Sequence, residues 1–380
     1  MKLIRTSTVP MSLDRFCRGL FLDLTAEGYE VIAVSSPEPE LQAIADREAT
    51  KTYAVPMERH ISLFRDLTSL LRLYCVFRKE RPDMVHSITP KAGLLSMMAG
   101  WMCRVPVRVH TFTGLVFPTA TGFKRSLLKA TDRLTCLFAT HIVAEGQGVK
   151  RDLETNRITR KNLAILGNGS VCGIDTEYFN PELPEVAAAI KQKDPNTFTY
   201  VFVGRLVGDK GVNELVEAFV RVNSAYPATR LVLIGDTEEA LDPLHPATIE
   251  QLKSNEAIAC VGFQDDVRPW LAKSDVLVLS SYREGFPNVV LEANAIGIPA
   301  IVTDINGANE IVVHGETGSI VPPKNAAALC NAMLEMLSNR NRLPEMGAKA
   351  RERVDKLYNQ QYVRTCLKEY YKQLSAGIKR

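Results

Sequence analysis

The stretch 275-DVLVLSSYREGFPNVVLEANAIGIP-299 places a strand, a turn and a helix in succession. The continuous, β-branched run Val276–Leu279 predicts a buried strand of a parallel sheet. A Gly-Phe-Pro turn follows, and its proline favours the start of a helix that continues over Val289–Ile296. Glu284 is therefore expected at the carboxyl edge of the sheet, and Glu292 is expected inside the next helix.

The position of these two glutamates indicates the kind of ligand. Open α/β sheets bind ligands at the carboxyl edge, and helix N-termini at that edge attract phosphate. A carboxylate cannot itself hold phosphate, but it accepts hydrogen bonds from sugar hydroxyls. Glu284 and Glu292 therefore predict a ligand that carries both a polyphosphate and sugars.

The chain is long enough for two domains. It has 380 residues, of which 46% are apolar, so its length and composition allow two separate hydrophobic cores. Strand and helix patterns alternate throughout, which predicts parallel sheets. The predicted fold class is α/β, with two doubly wound, Rossmann-like domains that face each other across a cleft. The first spans residues 1–180, and a helix at about 360–380 packs back on it. The second spans 181–360, and the weakly periodic segment 167–195 is the predicted linker.

The charge is unevenly distributed along the chain. The net charge is only +3, which does not indicate nucleic-acid binding, but residues 1–180 hold 24 Lys and Arg against 18 Asp and Glu. The remaining residues hold 22 against 25. This asymmetry fits attraction to an anionic surface or acceptor, and it also fits an ordinary scatter of solvated charges.

One segment of the first half suggests where an anionic membrane would bind. On a helix, Arg125, Lys129 and Arg133 share one face, with Lys124 beside them, behind the apolar loop Leu115–Pro118. This pattern predicts a basic stripe next to exposed hydrophobic residues. The alternative is a helix buried by its leucines, with cations that are simply solvated.

The cysteines and the apolar segments indicate a reducing compartment. The eight cysteines are scattered, with no CxxC pair, so neither a zinc site nor a disulfide framework is predicted. The amino terminus has no apolar region of signal-peptide length. The longest membrane-like segment, Ala92–Cys103, is too short to span a bilayer. We expect a cytoplasmic protein that at most attaches to a membrane surface.

The stretch 200-YVFVGRLVGDKG-211 predicts a second strand, glycine turn and helix. Gly204 and Gly208 allow close approach of the backbone, and Arg205 and Lys210 bracket the turn. The stretch is neither a Walker A sequence nor GxGxxG. Two solvated cations are one interpretation. Their place at the carboxyl edge, in the same sheet as Glu284, favours a site for a diphosphate.

Two further positions leave alternatives open. In 305-INGANE-310, Gly307 would offer backbone N–H groups to phosphate, or Glu310 would simply favour the helix dipole. His110 ends a predicted strand and is followed by a Thr-Phe-Thr-Gly turn. A lone histidine is often structural, but its place at a strand end facing the predicted cleft favours a functional role.

Four motifs follow one another in the second half of the chain: GRLVGDKG at 204–211, VGFQDDV at 261–267, SYREGFPNVVLEANAIGIP at 281–299 and GANEIVVHGETGSIVPP at 307–323. Taken in this order, they resemble the retaining glycosyltransferases of family 4, which have the glycosyltransferase-B fold. The resemblance covers residues 197–345, and its Glu-x7-Glu spacing is specific. The first half is similar more loosely, to bacterial enzymes that assemble capsule, O-antigen or related lipid-linked oligosaccharides. It departs from many relatives at Val9–Ser12, where they have a Gly-Gly pair, and Gly-Phe-Pro replaces the commoner Gly-Phe-Gly.

The resemblance implies a role for each motif. Arg205 and Lys210 would hold the diphosphate of a nucleotide-sugar, Glu292 would bind the ribose hydroxyls, and Glu284 would position the donor sugar. The backbone near residues 261–263 would meet the base, and His110 would lie near the reactive centre. The implied catalytic residues are His110, Arg205, Lys210 and Glu284. The implied donor-binding residues are Arg205, Lys210, Val261, Phe263, Glu284, Gly285, Phe286, Pro287, Asn288 and Glu292.

The implied activity is retaining transfer of a hexosyl or N-acetylhexosaminyl group from a nucleotide-sugar, with uridine diphosphate as the expected nucleotide. The acceptor would be a lipid-linked saccharide in bacterial surface polysaccharide synthesis, at the inner face of the cell membrane. No cofactor and no metal are expected, because cations and a helix N-terminus stabilise the leaving diphosphate. The alternatives are a nucleotide-sugar 2-epimerase and a non-catalytic protein that binds nucleotide-sugars.

Overall fold

The computed structural model describes residues 1–58, 62–238 and 242–378. Contacts between residues divide the chain into two compact units. Unit 1 comprises Met1–Cys172 and Tyr362–Arg380, and unit 2 comprises Gly173–Gln361. This division and the boundary predicted after residue 180 both fall within the predicted linker.

Unit 1 is built on a parallel sheet of seven strands. The strands are β1 (Lys2–Thr6), β2 (Glu30–Ser35), β3 (Lys51–Ala54), β4 (Met84–Ile88), β5 (Val107–Phe112), β6 (His141–Ala144) and β7 (Leu163–Ala164). Their order in the sheet is β3-β2-β1-β4-β5-β6-β7. Apolar residues are buried on both faces of the sheet, which explains the continuous hydrophobic strands.

The helices that come before residue 173 pack against this sheet. They are α1 (Pro10–Cys17), α2 (Leu20–Ala26), α3 (Pro39–Glu48), α4 (Leu63–Glu80), α5 (Pro90–Met102), α6 (Gly122–Phe138) and α7 (Gln147–Thr155). Helices α1 and α2 are separated by Arg18 and Gly19. The chain breaks there because Gly19 adopts a φ of 71°, which lies in the left-handed region. The N–H of Gly19 is then satisfied by Glu48 Oε1 at 2.7 Å.

Unit 2 is built on a parallel sheet of six strands. They are β8 (Phe198–Val203), β9 (Thr229–Ile234), β10 (Ile258–Cys260), β11 (Val276–Leu279), β12 (Ala300–Thr303) and β13 (Gly318–Val321). Their order is β10-β9-β8-β11-β12-β13. The first three strands therefore run outward from β8 on one side, and the last three run outward on the other. Two doubly wound α/β domains are thus confirmed.

The helices of unit 2 alternate with its strands. They are α8 (Pro184–Lys191), α9 (Val212–Ala225), α10 (Pro246–Ser254), α11 (Arg268–Ala272), α12 (Asn288–Ile296), α13 (Ala308–Ile311), α14 (Ala326–Ser338) and α15 (Leu343–Tyr358). The last helix, α16 (Gln360–Ala376), lies mostly in unit 1, where Leu367 and Tyr371 enter the core.

The sequence missed several elements. The predicted linker contains α8, which begins at a proline and buries Val186 and Ala189 in the core of unit 2. The three prolines of the segment obscured its helical period. Helix α3 was also missed. Strand β3 was missed because it has only four residues and lies at the edge of the sheet. Edge strands bury less apolar surface, so their pattern is weaker.

The predicted basic stripe is corrected in two respects. Leu115 and Phe117 were expected to be exposed, but they are 6% and 0% exposed and belong to the core of unit 1. Lys129 donates to Asn156 Oδ1 at 3.3 Å, and Arg133 donates to the backbone carbonyls of Asn156 and Arg157. These two cations therefore interact with the end of α7. Over the described residues, the helices are all too short or too polar to cross a membrane.

Candidate functional site

The site in unit 2 lies where the strand order of its sheet reverses. Strand β8 pairs with β9 on one side and with β11 on the other. After β8 the next strands are added toward one edge of the sheet, and after β11 they are added toward the other edge. The chain that follows two such strands leads to helices on opposite faces, and the carboxyl edge of the sheet is the usual ligand site of a doubly wound domain. Here the chain that follows the two strands forms loop A, residues 204–211 after β8, and loop B, residues 280–287 after β11.

The backbones of loop A and loop B are joined directly. The N–H of Tyr282 donates to the carbonyl of Asp209 at 2.9 Å, and Ser280 Oγ donates to the carbonyl of Lys210 at 2.9 Å. Gly211 has a φ of 67°, and a Cβ there would lie 2.0 Å from the Ser280 carbonyl oxygen. Only glycine allows this approach, which sets the distance between the two loops.

Lys210 and Glu284 meet across this junction. Lys210 Nζ lies 2.6 Å from Glu284 Oε1, which also accepts a hydrogen bond from Ser281 Oγ at 2.8 Å. The two side chains are 23% and 18% exposed, so both are partly withdrawn from water and still reachable. The ammonium can bind a phosphate oxygen, and the carboxylate can accept from hydroxyls. The structure thus brings together two of the predicted site residues from separate motifs.

Arg205 occupies the beginning of the same loop but is more exposed. Its side chain is 51% exposed, and Nη1 forms an ion pair with Glu238, which follows β9. Glu238 was not predicted from the sequence, because no motif marks it. Each of the two predicted phosphate-binding cations therefore has a carboxylate partner here. An entering anion has to compete with both carboxylates.

The turn that follows Glu284 packs against a third loop, which follows β12. Gly307, after β12, has a φ of 74°, and a Cβ there would lie 2.2 Å from the carbonyl oxygen of Gly285. Phe286 is 6% exposed, and its ring lies 5.2 Å from that of Tyr358. The side chain of Phe286 therefore belongs to the core, and only its backbone is available for a donor.

Helix α12 carries the remaining residues of this motif. Pro287 was predicted at the start of this helix. It is the N-cap, and the first helical residue is Asn288. Glu292 lies half-buried inside the helix. The predicted difference in placement between Glu284, in the loop, and Glu292, in the helix, is confirmed.

The loop after β10 presents an aromatic ring. The ring of Phe263 is 67% exposed, while its N–H donates to Asp236 Oδ1 at 3.1 Å. The carbonyl of the half-buried Val261 accepts from Gln264 Nε2 at 2.8 Å. An exposed ring on a backbone held in this way is suited to stack on a planar ligand group.

His110 lies in unit 1 and is enclosed. It is 2% exposed on β5, and its Nδ1 lies 2.8 Å from Ser87 Oγ. Its ring contacts Phe112 edge-on and fills the space beside Gly93, where a Cβ would lie 2.4 Å from the ring. Burial lowers the pKa of His110 to about 3, so the imidazole is neutral at physiological pH. Its place near a reactive centre stays a prediction.

The loop A and loop B junction carries several charged side chains. Among the described residues, there is no group of three or more His, Cys, Asp or Glu arranged to hold a metal ion. The cations at the junction include Lys210 and Arg205, each of which is paired with one carboxylate. Such an arrangement can bind a diphosphate and stabilise the charge it gains on leaving.

Two family descriptions match the chain. Residues 185–353 match "Glycosyl transferases group 1", and residues 13–169 match "Glycosyl transferase 4-like domain". The chain is 31% identical to the capsular polysaccharide biosynthesis glycosyltransferase CapM of Staphylococcus aureus, over 97% of this chain and 96% of CapM. It is 28% identical to the UDP-Gal:alpha-D-GlcNAc-diphosphoundecaprenol alpha-1,3-galactosyltransferase of Escherichia coli, over 77% of this chain and 76% of that protein.

Solved structures share the fold. Sucrose-phosphate synthase from Thermosynechococcus elongatus superimposes with a TM-score of 0.81 at 20% identity, with all of both chains covered (100% and 100%). Anabaena HepE in complex with UDP and glucose superimposes with a TM-score of 0.80 at 15% identity, over 98% of this chain and 100% of HepE. At these identities, the similarity establishes the architecture of the chain.

Proposed function

The chain belongs to the glycosyltransferases that join a 4-like domain to a group 1 domain, and we propose that it transfers a sugar from a uridine diphosphate-linked donor to a lipid-linked saccharide. The proposed sugar is a hexosyl or N-acetylhexosaminyl group, transferred with retention. The proposed setting is bacterial surface polysaccharide synthesis. Support comes from CapM, from the galactosyltransferase whose name includes UDP-Gal and diphosphoundecaprenol, and from HepE, which was solved with UDP.

One observation carries the proposal: Lys210 and Glu284 form an ion pair at the strand-order reversal of unit 2. A donor diphosphate that binds Lys210 frees the Glu284 carboxylate for a sugar hydroxyl. One ligand with a phosphate end and a sugar end therefore satisfies both groups at once. Arg205 supplies a second cation once Glu238 is displaced. Glu292 in α12 is proposed to hold the ribose.

The proposed transfer needs no protein nucleophile. The bond between the sugar anomeric carbon and the diphosphate oxygen breaks, and the acceptor hydroxyl oxygen bonds to that carbon from the same face. The acceptor proton passes to the departing diphosphate oxygen. Lys210 and Arg205 stabilise the negative charge on the diphosphate, a role that elsewhere falls to a metal ion. Glu284 and the backbone of Gly285–Asn288 orient the sugar.

The single experiment that tests this function is a panel of nucleotide-sugars, with and without a lipid-linked saccharide acceptor. We expect nucleoside diphosphate release that depends on the acceptor, together with a thermal shift by the bare nucleoside diphosphate. Release of free sugar without dependence on an acceptor would favour a 2-epimerase. Thermal shifts without any release would favour a non-catalytic binding protein.

The proposed acceptor is lipid-linked, so unit 1 needs a surface that binds a membrane. Helices α4 and α6 flank α5 on the same face of the sheet. On α4, Phe64, Leu67 and Leu71 are 88%, 55% and 52% exposed. The exposed cations of the same helix are Arg65, Arg72, Arg78 and Lys79. This mixture of exposed basic and apolar residues is typical of helices that lie in a membrane interface.

Helix α6 continues this surface. Phe123 and Leu137 are 82% and 64% exposed, and Lys124 and Arg125 are exposed beside them. Asp132, the one carboxylate of α6, is half-buried, and burial raises its pKa to about 7. The carboxylates of α4 and α6 are thus less exposed than the cations: Asp66 and Asp132 are half-buried, and Glu80 is buried. We therefore move the proposed anionic-membrane contact from the predicted stripe to the outer faces of α4 and α6.

A further inference from the structure

A second ion pair crosses from loop A to loop B directly beside the first. Arg283 Nη2 lies 2.7 Å from Asp209 Oδ2. Asp209 precedes Lys210 in loop A, and Arg283 precedes Glu284 in loop B. The two ion pairs therefore join consecutive residues with opposite polarity. An aspartate and a lysine on one loop face an arginine and a glutamate on the other.

Tyr282 anchors the same part of loop B from the other side. Its hydroxyl donates to Glu214 Oε1, in the first turn of α9, at 2.6 Å. Lys324, which follows β13, has its Nζ 4.6 Å from the centroid of the Tyr282 ring. Loop B is thus attached to loop A, to α9 and to the loop after β13 through two successive residues, Tyr282 and Arg283.

The two ion pairs differ in what a donor would do to them. In the proposed function, the ammonium of Lys210 turns to the diphosphate and the carboxylate of Glu284 turns to the sugar. The ion pair between Lys210 and Glu284 is then broken while donor is bound, which is when the transfer step requires both side chains to be correctly placed. The pair of Asp209 and Arg283 takes no part in that exchange, so it can hold the loops in register throughout.

We propose that Asp209 and Arg283 form a clamp that positions Lys210 and Glu284 during transfer, with Tyr282 as its anchor on α9. The clamp rests on the proposed function of the junction. All three are positioning residues, because each acts through the residue beside it. They deepen the site by assigning a role to the side chains of Asp209, Tyr282 and Arg283, which are not among the implied donor-binding residues.

The test is a double-mutant cycle on the full chain with Asp209→Asn and Arg283→Gln. Small misplacements of reacting groups can cost up to about 100-fold in rate, so we expect each variant to lower kcat about 10-fold. The double variant should be no worse than the weaker single variant, because both remove the same clamp. Arg283→Lys should restore part of kcat. Affinity for UDP, measured by calorimetry, should change less than about threefold, since the clamp does not touch the nucleotide.

The control is an exposed ion pair elsewhere in unit 2. Lys349 and Glu345 lie on α15, with Nζ and Oε1 2.7 Å apart and side chains 50% and 69% exposed. The variants Glu345→Gln and Lys349→Gln remove the same kinds of charge and should leave kcat unchanged. Near-wild-type kcat in Arg283→Gln, or effects that simply add in the double variant, would overturn the clamp.

A direct role of Arg283 in binding donor gives a different pattern. In that case Arg283→Gln weakens UDP binding at least 10-fold while Asp209→Asn strengthens it, and this result also overturns the clamp. Amide hydrogen exchange at residues 280–284 provides a readout that is independent of turnover. With the clamp, both single variants exchange faster than wild type, and unchanged exchange contradicts it. A wild-type chain that releases no nucleoside diphosphate contradicts only the proposed function.

Discussion

Lys210 Nζ and Glu284 Oε1 are 2.6 Å apart although the two residues are separated by 74 positions in the chain. They meet because β8 and β11 are neighbours in the sheet and Gly211 lets loop A lie against the end of β11. Each residue follows a strand that ends at the same edge. The ion pair is therefore a direct consequence of the strand order, and in the proposed function its cation and its carboxylate bind opposite ends of one donor.

The cations of loop A should determine the transfer rate. Lys210→Ala and Arg205→Ala should each lower kcat/KM by about 100-fold or more, because each removes a group that stabilises the leaving charge. The measurement is nucleoside diphosphate release with saturating acceptor. Lys253→Ala, an exposed lysine of α10, is the matched control and should keep wild-type kcat/KM. Near-wild-type turnover in either loop A variant would remove the diphosphate from this turn.

The two glutamates should affect binding and transfer differently. Glu292→Ala should weaken binding of the bare nucleoside diphosphate, because the proposed ribose contacts are lost. Glu284→Ala should mainly reduce transfer and change nucleotide affinity little, since this carboxylate is proposed to contact the donor sugar. Titration calorimetry with UDP, combined with turnover measurements, separates the two effects. The reverse pattern would contradict the assignment.

Much of this site was predictable because its residues follow hydrophobic strands. The run Val276–Leu279 marks a parallel strand, and the residue that follows such a strand necessarily lies at the ligand edge. Glu284 and Lys210 were therefore located from sequence, each by its own motif. Their hydrogen bond was not, because sequence does not show which strands are adjacent.

Other features depend on partners that are distant in the chain. Glu238 meets Arg205, and Glu214 meets Tyr282, through side chains that no local pattern connects. The exposure of Phe117 was misjudged for the same reason. An apolar residue in a loop is buried or exposed according to what packs above it, and here the core of unit 1 covers it.

Transfer is expected to continue in the presence of a chelator and a reducing agent. The proposed charge stabilisation comes from Lys210 and Arg205, and within the described part of the chain the cysteines form no disulfide. Turnover should therefore be the same in excess EDTA with dithiothreitol as in plain buffer. Activity that is lost in EDTA and restored by magnesium or manganese would contradict stabilisation by side chains alone.

Burial of His110 should make stability depend on pH. In the unfolded chain its pKa is about 6.5, and burial lowers it to about 3 in the fold. Between these values the unfolded chain binds more protons, so the free energy of unfolding falls as pH decreases below about 6.5. Each pH unit should cost about 1.4 kcal/mol for one histidine.

The measurement is denaturant unfolding at pH 7, 6 and 5 for wild type and His110→Gln. The variant lacks this protonation, so its free energy of unfolding should fall less steeply with pH, whatever its absolute stability. His86 and His141, whose pKa values are also lowered by burial, remain in both proteins and contribute to the residual slope. Equal slopes for the two proteins would contradict the prediction.

Membrane binding should depend on the outer faces of α4 and α6. Each basic residue near an anionic leaflet contributes about 1 kcal/mol, so several exposed cations can give reversible attachment without a spanning helix. The variants Arg72→Glu with Lys79→Glu, and Lys124→Glu with Arg125→Glu, should each reduce sedimentation with vesicles that contain anionic lipid. The wild-type chain should bind less as salt is added, because exposed charges are screened.

The control must change the total charge equally without touching this surface. Lys253→Glu with Lys273→Glu does so on unit 2, since both lysines are exposed there. If the faces of α4 and α6 make the contact, only the unit 1 variants lose binding, and Phe64→Ser weakens it further by removing an inserted apolar side chain. Equal sedimentation with neutral and anionic vesicles would reject the electrostatic account. Equal loss in the unit 2 control would show that net charge, and not this surface, holds the protein at the membrane.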